Sequence, residues 1–126
     1  MDIRDLIAQV TIEGHLDYGD VTALHHQAQE IGLVQIVDRH VSKAQGINVG
    51  ALSCLMAINR CIDPKSKRQI PDWYAGTVLP DLLDVSAERV NYQLLTRALD
   101  YLDEEAQWAI EHELSYELKF EPRRAP

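Results

Sequence analysis

Apolar residues recur three and four positions apart through most of the chain, which is the spacing of one face of a helix. Residues that favour helices, namely Ala, Leu, Glu, Gln and Arg, are frequent, and long runs of β-branched residues are few. The pattern predicts an all-α protein, a small orthogonal bundle of about six helices joined by short loops. The chain, 1–126, is expected to form one domain, with loose order at 1–14 and 121–126.

Two helices are predicted in the first third of the chain. Asp20 is a capping residue, and the helix that follows it is expected to end at Gly32. A short amphipathic helix then covers 33–41. The pattern before Asp20 is ambiguous. Residues 7–12 partly alternate, as in a short strand, and a helix that begins at Asp2 fits almost as well.

The middle of the chain is its most apolar part. Asn48 is placed to cap a helix that is apolar around much of its girth. Pro64 forces this helix to end, because the residue before a proline is pushed out of the helical region. Ser66 is expected to cap a second helix that starts at Lys67 and ends at Gly76. The two helices and their turn predict a helix-turn-helix-like central pair.

The remaining helices are marked by their first residues. Pro80 suits the first turn of a short helix, and Ser86 and Asn91 are both capping types. Asp103 is expected to cap a last helix over 104–120, whose first turn is acidic, as the helix dipole favours.

Charge divides the chain into unlike parts. The formal net charge is −8 at pH 7, and an acidic protein does not bind nucleic acid through its overall field. From Arg39 to Arg68, however, six basic residues accompany one acid, Asp63, whereas 77–126 holds eleven acids and five bases. Because the net charge is negative, a contact with nucleic acid requires a local basic patch. Solvated helix faces explain the uneven charge equally well.

No arrangement typical of an enzyme is found. The sequence has no glycine-rich phosphate loop, no His-Glu-x-x-His and no Gly-x-Ser-x-Gly, so no catalytic residue, metal site or cofactor is predicted. Cys54 and Cys61 are expected to be buried thiols. His25 and His26 point about 100° apart on a helix, so one is expected to be half-buried and the other exposed. No secretory signal or membrane-spanning run is recognised, and a cytoplasmic protein is expected.

The best candidate for a functional site is a basic turn in the middle of the chain. Its residues are Arg60, Lys65, Ser66, Lys67 and Arg68. Free N–H groups at the start of the next helix, with Ser66 and the lysine after it, are suited to hold a phosphate, so we expect the turn to bind DNA. The alternative is that Arg60 and Lys65 pair with the acidic C-terminal helices and serve only the fold. Trp73 and Tyr74 are able to stack on bases, but at this spacing core positions are more common.

One segment of this region resembles a known family. Asn59-Arg60-Cys61-Ile62-Asp63-Pro64-Lys65-Ser66-Lys67 is similar to the Asn-Arg-(apolar)2-Asp-Pro-x-Ser-Lys segment of insertion-sequence transposases of the IS1634-like branch of the IS4 class. Further segments resemble the family in the same order, at 18–21, 32–38, 73–74, 77–80 and 97–102. The resemblance extends over 10–118, almost the whole chain.

In such transposases this region precedes a ribonuclease-H-like catalytic domain with an Asp-Asp-Glu triad that binds two metal ions. Nothing in this chain resembles that domain, so the resemblance implies a non-catalytic accessory domain. Its expected role is to recognise transposon-end DNA or to mediate contacts between subunits or with the catalytic domain. Whether the chain is a natural truncation, a decayed copy or an excised piece stays open.

The residues also allow a different function. The chain is alternatively a protein-interaction or dimerisation module that uses its acidic C-terminal helices. The contact would then be an apolar stripe on the last helix, made of Trp108, Ile110, Leu114 and Leu118.

Overall fold

The computed structural model describes residues 21–41 and 47–117, and this part of the chain is all-helical. It contains no strand, so the predicted all-α fold is confirmed within these ranges. The alternative strand and helix before Asp20, and the Asp20 cap itself, lie outside the described residues. The helices are α1 (Val21–Ile31), α2 (Leu33–His40), α3 (Val49–Ile62), α4 (Ile70–Ala75), α5 (Leu79–Leu83), a 3-10 turn (Ala87–Arg89), α6 (Tyr92–Tyr101) and α7 (Glu104–Glu117).

α3 is the centre of the fold. Every residue from Val49 to Asn59 is buried, and α1, α2, α4 and α6 all pack against this helix. A helix surrounded on all sides needs apolar or small residues around its whole girth, which this sequence supplies. The largest fully buried side chains of the core include Leu24, Leu33, Leu52, Leu55, Met56, Tyr74, Leu95 and Ile110.

α2 and α3 approach each other closely at Gly50. A Cβ atom at this position would lie 2.4 Å from the carbonyl oxygen of Val34, so only glycine permits this packing. The Gly50 N–H donates to Asp38 Oδ1 at 2.8 Å. Asn48 occupies the predicted N-cap position, but its side chain makes no capping hydrogen bond. The first turn of α3 is therefore capped from α2.

α4 begins later than the sequence pattern predicts. The expected helix start at Lys67 is wrong, because 67–69 form a turn and α4 begins at Ile70. Pro71 explains the difference: proline has no N–H and is tolerated only in the first turn of a helix. A helix that started at Lys67 would need this missing N–H for its second hydrogen bond, the one to the Lys67 carbonyl. Gly76 ends α4 as predicted.

The predicted caps of the C-terminal part are confirmed. Ser86 Oγ, Asn91 Oδ1 and Asp103 Oδ1 each accept a hydrogen bond from a backbone N–H two or three residues later, at 3.3, 2.8 and 2.8 Å. α7 packs mainly on α2. None of the described helices combines the length and the apolar character that crossing a membrane requires.

Candidate nucleic-acid interface

The five predicted site residues lie at the end of α3 and on the connection to α4. Arg60 is in the last turn of α3, and the other four follow before α4 begins; we call residues 60–68 the basic segment. Arg60, Lys65, Ser66 and Arg68 are exposed, and Lys67 is half-buried. The described part of the chain carries seven Lys and Arg residues, and four of them belong to this segment. α4 itself carries no Lys or Arg, so the positive charge of the central helix pair lies in the last turn of α3 and on the connection.

Asn59 fixes the course of the basic segment. Its side chain is buried, with 2% of the residue exposed, and both ends of its amide are used. Nδ2 donates to the Asp63 carbonyl at 3.0 Å, and Oδ1 accepts from the Lys65 N–H at 2.9 Å. These two bonds hold the chain on both sides of Pro64. Sequence reasoning missed this role, although an asparagine inside an apolar helix is a signal, because asparagine is a weak helix former.

Lys65 pairs within the segment itself. Its Nζ lies 3.4 Å from Asp63 Oδ2, and the two side chains are 36% and 58% exposed. An exposed pair of this kind contributes about 0–1 kcal/mol to stability and is screened by salt. Asp63 is two residues away on the same connection, not on the C-terminal helices that the alternative interpretation named. The Lys65 ammonium is therefore held only weakly and is able to exchange Asp63 for a phosphate.

Arg68 is held by an aromatic ring. Its Cζ atom lies 4.1 Å from the centroid of the Tyr92 ring, at the first residue of α6. Such a cation–π contact uses the face of the guanidinium. The N–H donors of arginine lie in the guanidinium plane, so stacking on Tyr92 orients the group without consuming its donors.

Ser66 has a different role from the predicted one. Its N–H and its Oγ both donate to Gln69 Oε1, each at 3.3 Å. The turn is thus closed by the Gln69 side chain, and the Ser66 carbonyl accepts from the Ile70 N–H at 3.0 Å. Because α4 begins only at Ile70, Ser66 and Lys67 do not stand at the first turn of a helix. The predicted phosphate grip by a helix start is wrong.

The two aromatic residues of α4 belong to the core. Tyr74 is fully buried, and its hydroxyl donates to the Val85 carbonyl at 2.6 Å. Burial raises the pKa of Tyr74 to about 12, with Asp81 and Cys54 acting in the same direction. Trp73 is partly buried against the same core. This agrees with the expectation that these side chains pack, and Tyr74 is not available to stack on a base.

Arg39 is the other basic residue between positions 39 and 68 that the structure describes, and it binds an acid on another helix. The Arg39 guanidinium and the His40 ring both bind the carboxylate of Glu113, His40 Nε2 at 2.6 Å from Oε1. The hydrogen bond from His40, reinforced by Arg39, lowers the pKa of Glu113. This contact ties α2 to α7, so Arg39 is used to hold the bundle together.

The two cysteines and the adjacent histidines of α1 differ in burial. Cys54 is buried and Cys61 half-buried, and both are free thiols. His25 is 5% exposed, which is more buried than expected, while His26 is exposed and lies 3.8 Å from Glu30. Within 21–41 and 47–117, no three His, Cys, Asp or Glu side chains are grouped so as to hold a metal ion.

The predicted stripe on the last helix is not a continuous outer surface. Ile110 and Leu114 are buried in the core, and Leu118 lies outside the described residues. Trp108, the remaining member of the stripe, is 68% exposed, and Tyr116 on the same helix is 82% exposed. Ile110 and Leu114 are therefore wrong as members of an interaction surface. Dimerisation through other residues of this helix stays a prediction.

Comparisons with protein-family models, with curated proteins and with solved structures found no match to the chain. The resemblance to insertion-sequence transposases therefore stays a prediction. What the described residues supply is a fixed, exposed segment that concentrates positive charge on an acidic molecule.

Proposed function

We propose that the chain is a non-catalytic accessory domain of a DNA transposase and that the basic segment binds the phosphate backbone of DNA. Arg60, Lys65, Lys67 and Arg68 are the residues that would contact phosphate. One observation carries the proposal: four cations lie within nine residues, at the end of α3 and on the largely exposed connection that follows, with Asp63 as the one acid among them. Transposon-end DNA is the target that the resemblance of 59–67 implies.

The segment is suited to phosphate because its cations are positioned before DNA arrives. Asn59 holds the backbone around Pro64, and Tyr92 holds the Arg68 guanidinium. Arginine binds phosphate through paired N–H donors, and lysine acts as a compact point charge. Less side-chain freedom is then lost on binding, which favours affinity.

Phosphate contacts of this kind orient a protein on DNA but read no sequence. The four cations therefore supply affinity and register, and the choice of a transposon end requires additional contacts to base edges. The interaction is expected to be weak at physiological salt, because non-specific binding comes almost entirely from the release of counterions.

Charge reversal tests the proposal. The variant that combines Lys65→Glu, Lys67→Glu and Arg68→Glu is expected to lose binding to a fluorescently labelled duplex, measured by anisotropy at low salt. Its far-ultraviolet circular dichroism should remain helical, because these side chains lie outside the core.

A matched control separates the segment from net charge. Arg97→Glu changes the charge of the whole chain by the same amount as a single reversal in the segment, but it lies on an exposed position of α6. Arg68→Glu should weaken binding several-fold, and Arg97→Glu should leave it almost unchanged. Binding that survives the triple reversal would reject the proposed interface.

A further inference from the structure

A pocket of about 280 Å³ lies between α1, α2, α3 and α5, and none of its lining residues belongs to the basic segment. Each of the four helices contributes to its wall, among them His25 from α1, Gln35 from α2, Cys54 from α3 and Leu82 from α5. Its volume lies just below the usual range for ligand pockets, about 300–1,000 Å³. It therefore has room for a molecule of one or two rings.

His25 is the unusual member of this wall. It is 5% exposed, yet no residue in the described ranges hydrogen-bonds to its ring. Its ring nitrogens are not among the fully buried side-chain atoms without a hydrogen-bond partner, which in the described residues are Ser53 Oγ and Thr96 Oγ1, so they are open to the pocket that the ring lines. A ring that lines a pocket and has no hydrogen-bond partner among the described residues is able to bind a ligand there.

The groups around the pocket are uncharged. Burial lowers the pKa of His25 below its ordinary value, and the neighbouring His26 acts in the same direction, so the ring is neutral at pH 7. Burial raises the pKa of Cys54 to about 12, so its thiol stays protonated. Apart from the His25 ring, the described lining contains no acidic or basic side chain. A charged ligand would lose its hydration here without gaining a counter-charge.

We propose that this pocket binds a small, uncharged heteroaromatic ring of nucleobase size through the His25 ring and the carboxamides of Gln29 and Gln35. A neutral imidazole has one donor and one acceptor, and each carboxamide has both. The polar edge of such a heterocycle also alternates donors and acceptors. Its flat apolar face matches the wall formed by Val34 and Leu82. The proposal does not rest on DNA binding.

The test uses adenine as the probe, added to the full chain labelled with nitrogen-15 in its histidines. Saturable changes are expected in the ring nitrogen signals of His25, with a dissociation constant in the millimolar range or tighter, and not in those of His26. Benzene, which offers a flat ring without a polar edge, should bind more weakly. Adenosine then distinguishes a free base from a base that carries a sugar.

Two substitutions of the same kind provide the control. His25→Phe keeps a ring in place but removes its hydrogen bonds, and it should weaken adenine binding about tenfold. His26→Phe, one residue away and exposed, should leave binding unchanged. If His25→Phe does not fold, the wild-type titration still decides. Unchanged His25 signals at millimolar adenine, or equal losses in both variants, would overturn the proposal.

Discussion

At the scale of single residues, the structure depends on a few positions that fix how segments of the chain contact each other. Asn59 is one, because its amide binds the connection on both sides of Pro64. Gly50 is another, because it lets the backbones of α2 and α3 meet and lets Asp38 cap α3. Asn59 is the first residue of the segment that resembles the transposase family, whereas Gly50 belongs to no recognised motif. Gly50 matters through a contact between two helices, whereas Asn59 acts on residues four and six positions later.

Gly50→Ala is expected to destabilise the fold by about 1–3 kcal/mol, the usual cost of forcing an extra group into a packed core. The added Cβ would lie 2.4 Å from the Val34 carbonyl oxygen and 2.8 Å from Asp38 Oδ1, so α2 has to move. Urea unfolding followed by circular dichroism measures the change.

Gly76→Ala is the matched control. Its added Cβ would meet nothing nearer than 3.6 Å, and its φ of −89° is open to any residue. Its stability should change by about 0.5 kcal/mol or less. If both variants unfolded at the same urea concentration, the close approach of α2 and α3 would not require glycine at position 50.

At the scale of the elements, α7 is attached to the bundle by one apolar face and one polar contact. Ala106, Ile110 and Leu114 supply the apolar face. Glu113, with 18% of its side chain exposed, supplies the polar contact through Arg39 and His40 of α2. A hydrogen-bonded carboxylate that is largely shielded from water is worth more than a surface ion pair.

Glu113→Gln should therefore lower stability at pH 7 by on the order of 1 kcal/mol. The hydrogen bond from His40 and the Arg39 charge lower the pKa of Glu113 below its ordinary value of 4.5. A carboxyl group of this kind stabilises the fold above its unfolded-state pKa and loses that contribution as the pH falls through the folded-state pKa. The difference between wild type and variant should thus be full above pH 4.5 and shrink below it.

The measurement is a series of urea unfolding curves from neutral to acidic pH. Glu111→Gln, two residues earlier on α7, provides the control, because no residue in the described ranges pairs with its carboxylate. It should show little difference at any pH. If the difference in stability between wild type and Glu113→Gln persisted at acidic pH, the charge of Glu113 would not be what joins α7 to α2.

The sequence predicted the elements better than it predicted the site. Pro64, Gly76 and Asp103 mark boundaries through local chemistry, so the helices around them were found. Ser66 is a good capping residue, so the sequence pattern placed the start of α4 too early. The actual start is set by Pro71, because proline is tolerated only in the first turn of a helix. The contacts from Arg68 to Tyr92 and from Arg39 to Glu113 join residues far apart in sequence, and no local pattern encodes them.

At the scale of the whole molecule, a basic segment lies on a chain whose net charge is −8. Long-range attraction to DNA is therefore absent, and at low salt the acidic residues repel it. Short-range contacts must overcome this repulsion. Arg39, although it begins the basic stretch of the sequence, is bound to Glu113. The proposed interface therefore has four cations among the described residues, and these neutralise at most four phosphates.

This limit gives the salt dependence a definite expected value. Each phosphate neutralised on duplex DNA contributes about 0.9 to the slope of log affinity against log salt, so four contacts give a slope of about −3.6. Lys65→Gln should reduce its magnitude by about 0.9, and Arg97→Gln should leave it unchanged. Fluorescence anisotropy at several salt concentrations measures all three slopes. A steeper wild-type slope would require phosphate contacts beyond the four cations, and a slope that Lys65→Gln does not alter would remove Lys65 from the interface.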